Sequence, residues 1–163
     1  MKLDQTELKK VLEAINKATN ILLISHKSPD GDTLGSALGF YHSLSQMGKN
    51  PLVACMDAPS PVYVFMPGIE TMQLGVPHID YDLVIILDAG ATHLTGVHEL
   101  YPQLFDKSRE VINIDHHPTN DFYGRYNLVV SNAPSTTMIV YQMMVDLGLP
   151  MDRHTATCLL TGI

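Results

Sequence analysis

The chain is poor in the features that would mark it for export, for a membrane or for the phosphates of a duplex. It has only two cysteines, Cys55 and Cys158, far apart and in apolar surroundings. That excludes a disulfide framework and suits a reduced, cytoplasmic protein. No apolar run approaches the ~20 residues that span a bilayer. The opening MKLDQTELKKVLEAINKA is charged and amphipathic, unlike a secretory leader. Positive charge is scarce, with ten Lys+Arg against seventeen Asp+Glu and a net charge of −7. A broad basic surface is therefore excluded, and an anionic substrate needs a local cation, either bound metal or clustered histidine. Internal repeats and low-complexity linkers are also missing. What is present is a chain of 163 residues, 45% apolar and 17% charged, enough for one domain with a core of its own.

Short apolar runs alternate with amphipathic stretches. Leu8, Val11, Leu12 and Ile15 recur at helical spacing over residues 4–18, with Asp4 available as a cap. NILLIS (20–25) reads as a strand buried on both faces, followed by a polar loop and a helix over 33–47 that stops at Gly48. PLVACM (51–56), DLVIIL (82–87) and VINI (111–114) read as further strands, and 128–130 as one at or near an edge. APSPVYVFMPG mixes proline with aromatics, as a loop or short irregular helix does. Helices follow over 135–147, stopped by Gly148, and from 153 onward. This alternation predicts an α/β fold, a mainly parallel Rossmann-like sheet with helices on both faces. The closing TCLLTGI carries no stop signal, so the chain reads as cut inside a helix.

Three polar clusters each follow a buried strand. His26, Asp30 and Asp32 come after ILLIS, Asp88 after DLVIIL, and Asp115, His116 and His117 after VINI. Open α/β sheets bind ligands outside the carboxyl ends of their strands, and neighbouring strands are only ~4.8 Å apart. Carboxylates converging there to 4–5 Å would repel by roughly 3–4 kcal/mol per pair at an effective dielectric of 20. Divalent cations relieve that repulsion and employ the histidines. Mixed His and carboxylate donors without cysteine favour Mn²⁺, Co²⁺ or Zn²⁺ over Mg²⁺ or Ca²⁺. The ligand count fits two ions, with one carboxylate bridging them and a hydroxide held between for in-line attack on phosphorus.

Each cluster alone has a plainer reading. HxxxDxD with Ser, Pro and Gly is a turn segment, Asp32 or Asp88 can cap a helix or turn, and paired histidines can be structural. Gly31, Gly35 and Gly39 give the second helix a small face, which suits close packing of the helix on the sheet more than an anion at its N-terminus. His42 and His78 read as solvated or packed, His93 and His98 as candidates for the rim of the pocket, and His154 as a surface residue. Cys55, Cys158 and the Met138, Met143 and Met144 set read as core filling.

On SHKSPDGDTLGSALGF, FMPGIETM, VIILDAG, VINIDHHPTNDFYGRYNLV and NAPSTTMIVYQM, the sequence resembles the DHH phosphoesterase superfamily. Its nearest likeness there is the group of bifunctional oligoribonucleases (nanoRNases) that are also 3′-phosphoadenosine 5′-phosphate phosphatases. The resemblance implies His26 and Asp30 as ligands of one Mn²⁺, Asp32 and His116 of the other, and Asp88 as the bridge. It implies His117 at the substrate phosphate, assisting the leaving group, and Asp115 as a carboxylate that orients a ligand histidine. Implied substrates are short RNA or DNA oligonucleotides or nucleotide phosphates, and a homodimer is compatible with it. Two positions depart from the family, Met138 in place of a glutamate and Leu94 in place of an arginine. The family's next metal-binding aspartate and its C-terminal DHH-associated substrate domain would follow Ile163, so residues 1–163 read as the catalytic domain alone. Alternatives within the superfamily are an inorganic pyrophosphatase or a cyclic-dinucleotide phosphodiesterase. Outside catalysis, the alternative is a metal- or nucleotide-binding fragment.

Overall fold

The computed structural model describes residues 1–77, 80–106 and 108–163. Six parallel strands form one sheet in the order β3-β2-β1-β4-β5-β6. They are β1 (Asn20–Ser25), β2 (Asn50–Cys55), β3 (Gln73–Leu74), β4 (Leu83–Leu87), β5 (Val111–Asp115) and β6 (Tyr126–Val129). The central strands β1, β4 and β5 are buried almost throughout, which is why they carry unbroken apolar runs rather than an alternating pattern. β3 escapes sequence reading because its two residues are exposed at a sheet edge and offer no apolar run.

Alternate side chains divide the core. Ile21, Leu23, Leu83, Ile85, Leu87, Ile112 and Ile114 face one layer, built from all four α-helices. These are α1 (Gln5–Lys17), α2 (Gly31–Gln46), α3 (Thr136–Leu147) and α4 (Arg153–Thr161). Leu22, Ile24, Val84 and Ile86 face the other layer, with Val97 and Leu104. That second layer is a long β4–β5 crossover whose helical content among the described residues is two 3₁₀ segments, Thr92–Thr95 and Pro102–Phe105. Helical cover is thus unequal, α on one face and 3₁₀ on the other. A fully buried leucine or isoleucine contributes roughly 1.5–3 kcal/mol, so the α-helical layer holds most of the apolar stabilisation.

Local chemistry explains the helix ends. Asp4 caps α1 by accepting from the Thr6 and Glu7 N–H groups, as its position suggests. α2 begins at Gly31, two residues before the expected start, because Asp30 rather than Asp32 is its cap, accepting from Asp32 and Thr33 N–H. The small face of α2 packs on α4 and not, as expected, on the sheet. A Cβ at Gly35 would stand 2.6 Å from the Cys158 carbonyl oxygen, and one at Gly39 2.8 Å from Leu159. Among the other histidines, His42 Nε2 lies 2.9 Å from the Pro67 carbonyl, and His78 falls outside the described residues. His154 is half-buried rather than a surface residue, its ring 5.3 Å from that of His42. Both cysteines are buried and unpaired, and burial pushes the Cys158 thiol up to about 12.

Gly35→Ala is expected to lower the melting temperature. The backbone clash should cost about 1–3 kcal/mol, more than the ~1 kcal/mol gained in helix propensity. A thermal melt that stays level or rises would contradict the close α2–α4 contact.

Candidate metal centre

The strand order reverses between β1 and β4, and open α/β sheets bind ligands at such a crevice. Ser25 is level with Leu87, and Leu87 with Ile114. The residues leaving these strands, His26, Asp88, His116 and His117, therefore emerge at one height. The loop after β1 turns back through Asp30 into α2 and adds Asp32. With Lys27 and Leu94, these six residues line a cleft of ≈ 480 Å³.

Asp88 sits at the middle of it, only 3% exposed and with φ +60, in the left-handed region. Its Oδ2 lies 3.4 Å from His26 Nε2, and its Oδ1 3.5 Å from His116 Nε2 and 3.8 Å from His117 Nδ1. Asp30 Oδ1 is 3.8 Å from His26 Nε2, and Asp32 Oδ2 is 3.7 Å from His116 Nε2. Direct N–H···O bonds are shorter, about 2.7–3.2 Å, whereas donor atoms sharing one ion at ~2.1 Å stand roughly 3.0–3.4 Å apart. Two three-residue groups have donor atoms within 4.8 Å of one another: His26, Asp30 and Asp88, and Asp88, His116 and His117. Asp88 belongs to both.

Contacts outside the cleft orient the rings. His26 Nδ1 lies 2.7 Å from the Lys27 carbonyl and His116 Nδ1 3.3 Å from the Ala133 carbonyl. A carbonyl only accepts, so each Nδ1 carries a proton and each Nε2 is the ring nitrogen that faces Asp88. His117 is held differently. Its Nδ1 donates to Asp115 Oδ1 at 2.7 Å, and Asp115 Oδ2 accepts from Asn120 Nδ2 at 2.7 Å. Asp115, fully buried, thus holds His117 and not either histidine that faces Asp88 through Nε2.

The electrostatics follow from burial set against these partners. Burial penalises the Asp88 carboxylate, but His26, Thr136 and His116 outweigh it and hold the carboxyl below its usual range. Burial, then the Asp88 charge, raises Asp32 against the opposing Thr137 and Thr136 N–H groups. Burial also disfavours charged His26 and His117. Asp88 and the Lys27 carbonyl overcome this at His26, Asp115 and Asp88 overcome it at His117, and both rings are raised.

Four residues around the site are not singled out by the sequence pattern. Thr136, fully buried, donates its Oγ1 proton to Asp88 Oδ1 at 2.8 Å, and its N–H to Asp32 Oδ2 at 2.8 Å. Thr137 N–H reaches Asp32 Oδ1, also at 2.8 Å. Asp32 therefore receives the first turn of α3 instead of capping α2. Asn120 anchors Asp115 and takes a 2.8 Å bond from Asn113, fully buried in mid-strand. A polar residue inside VINID was the available signal, since such a group needs a buried partner. Neither His93 nor His98 lines the cleft. Leu94 between them does, and its carbonyl accepts the Lys27 N–H at 2.9 Å.

The family model described as "DHH family, N-terminal domain" matches residues 20–163. The chain belongs to that family. The bifunctional oligoribonuclease and PAP phosphatase NrnA of Thermus thermophilus is 32% identical over 146 residues, 88% of this chain and 42% of that protein. A probable manganese-dependent inorganic pyrophosphatase of Streptococcus thermophilus is 24% identical over 149 residues, 89% of this chain and 47% of that one. Among solved structures, an exopolyphosphatase-related protein from Bacteroides fragilis superposes with a TM-score of 0.91 at 25% identity, over 98% of this chain and 49% of that one. The chain spans about half the length of the curated relatives it matches.

Because Asp115 raises His117, the isosteric Asp115→Asn should lower the pKa of that ring. An NMR titration of the imidazole should read a clear downward shift, and an unchanged midpoint would detach Asp115 from His117.

Proposed function

We propose that this chain is the catalytic N-terminal domain of a manganese-dependent phosphoesterase. Its substrates are short oligonucleotides and 3′-phosphoadenosine 5′-phosphate. The observation that carries the reading is the two-sided Asp88 carboxylate, with His26 Nε2 and His116 Nε2 facing opposite oxygens. The donor set fits a divalent ion of the Mn²⁺ kind. It is all nitrogen and oxygen, and with Nδ1 of both rings committed to a carbonyl, each Nε2 is the atom left to bind an ion once deprotonated. His26 and Asp30 would hold one ion, Asp32 and His116 the other, and Asp88 both; Co²⁺, Zn²⁺ or Mg²⁺ would be accepted less well. When bound, such ions supply Lewis-acid charge and a nucleophile from water at neutral pH.

The chain's own residues do the rest. Thr136 fixes the rotation of Asp88, so that its two oxygens stay on their two sides. Asp115 holds His117 by Nδ1 and favours its protonated form, leaving an Nε2 proton to give to the departing oxygen of a phosphoester. Lys27 adds the cleft's single ammonium, at a rim otherwise lined by acids, histidines and Leu94. No helix among the described residues is long and apolar enough to cross a membrane, and we assign the activity to the cytoplasm, where both thiols stay reduced. The inorganic pyrophosphatase alternative draws on the Streptococcus relative, and the greater identity to the Thermus protein favours nucleotide substrates.

Turnover assays with Mn²⁺ test the reading. Dinucleotides and 3′-phosphoadenosine 5′-phosphate should be hydrolysed, pyrophosphate and cyclic dinucleotides much less. Pyrophosphate hydrolysis alone would reverse the order, and calorimetry finding no tight Mn²⁺ site would make the chain a non-catalytic relic. Asp88→Asn should disturb binding of both ions. His117→Ala should keep the metal content and slow turnover by about 10²–10⁴-fold; equal metal loss in the two variants would contradict the assigned roles.

The raised His26 and Asp32 take up protons at higher pH than free His and Asp do, so protons displace the ion earlier on acidification, while Asp88 stays ionised. Apparent Mn²⁺ affinity should therefore fall steadily between about pH 8 and pH 5, and a flat profile would remove these groups from the ligand set.

A further inference from the structure

We infer that Phe122 is a stacking platform for a nucleobase of the substrate, with the arginine-lined cleft beside it receiving the adjoining strand. This rests on the phosphoesterase reading above. Phe122 is 61% exposed and held at φ +51, a conformation that bulky side chains rarely adopt. It buries little, and glycine would suit the turn better, so folding gives no reason for phenylalanine here.

The same bonds that hold His117 hold this backbone. The Phe122 N–H donates to Asn120 Oδ1 at 2.7 Å, and the Asn120 amide donates to Asp115 Oδ2 at 2.7 Å. The other oxygen of Asp115 fixes His117. One residue earlier, the Asp121 N–H donates at 2.8 Å to the carbonyl of Gly90, two residues after Asp88. The ring is thereby held on a loop tied to the site by the two residues before it, and it lines a separate cleft that runs toward the amino ends of β5 and β6.

The adjoining cleft, ≈ 450 Å³, is lined by Phe105, Arg109 and Arg125, with Asp106 and Asp121. Only three arginines occur in the chain and two of them are here. Arg125 is paired with Glu110 at 3.3 Å. Arg109 makes no ion pair or side-chain hydrogen bond among the described residues. An open aromatic face, a guanidinium for phosphate and a carboxylate able to accept from an exocyclic amino group together match single-stranded nucleic acid. Pyrophosphate has no ring to offer such a surface.

The chain has no tryptophan, so Phe122→Trp supplies a single reporter. With Mn²⁺ present, its emission should be quenched saturably by a phosphorothioate-linked adenine dinucleotide, and not by the same backbone without bases. Equal response to both, or to neither, overturns the platform. In turnover, Phe122→Ala should raise KM for the base-bearing dinucleotide about tenfold relative to the abasic one, and Phe122→Tyr should restore it. A uniform change for both substrates overturns the proposal. Phe122→Gly should melt no lower than the parent while showing the alanine variant's KM, and a lower melting temperature would make Phe122 a structural residue. A parent chain that hydrolyses neither substrate refutes the phosphoesterase reading, and the tryptophan titration still decides the platform.

Discussion

Negative charge gathered out of water is the constraint around which this molecule is arranged. Asp88 is almost wholly buried, Asp32 largely so, and burial together with the Asp88 charge pushes the Asp32 carboxyl above its usual range. Repulsion of roughly 3–4 kcal/mol per close carboxylate pair is a large share of the ~5–15 kcal/mol that stabilises an ordinary domain. The chain answers with donors. The Thr136 hydroxyl serves Asp88, the first turn of α3 serves Asp32, and the cap position of α2 serves Asp30. Protein donors alone leave the two sides of Asp88 facing the Nε2 atoms of His26 and His116, between which the proposed cations would sit.

The fold makes that convergence inexpensive. Parallel strands all deliver their carboxyl ends to the same edge, and the switch from β1 to β4 opens a crevice there. Short loops then suffice to bring residues 26–32, 88 and 115–117 together. α3 closes the arrangement from more than a hundred residues beyond Asp32, so the N-terminal and C-terminal parts of the chain share one polar core. The left-handed backbone at Asp88 fits this picture, since strain of this kind persists only where the surroundings enforce it.

Much of this was legible in the sequence because it rests on local pattern. NILLIS and DLVIIL read as buried strands, and the three acidic or histidine clusters fell after strands by simple inspection. What could not be read depends on contacts between distant residues. The exchange of roles between Asp30 and Asp32 turns on which backbone N–H groups each carboxylate reaches, and for Asp32 those belong to Thr136 and Thr137. The pairing of Asp115 with His117 depends on the side to which the end of β5 points. Gly35 and Gly39 are packing residues as their small face suggests, but the surface they meet is α4 and not the expected sheet. The two exposed residues of β3 offered no pattern at all.

The most direct test is a crystal of the chain grown with Mn²⁺ and measured at the manganese absorption edge. The account predicts two anomalous peaks about 3.5–4 Å apart, one on each side of the Asp88 carboxylate. A map with no peak against Asp88, or with manganese bound only elsewhere on the surface, would contradict it.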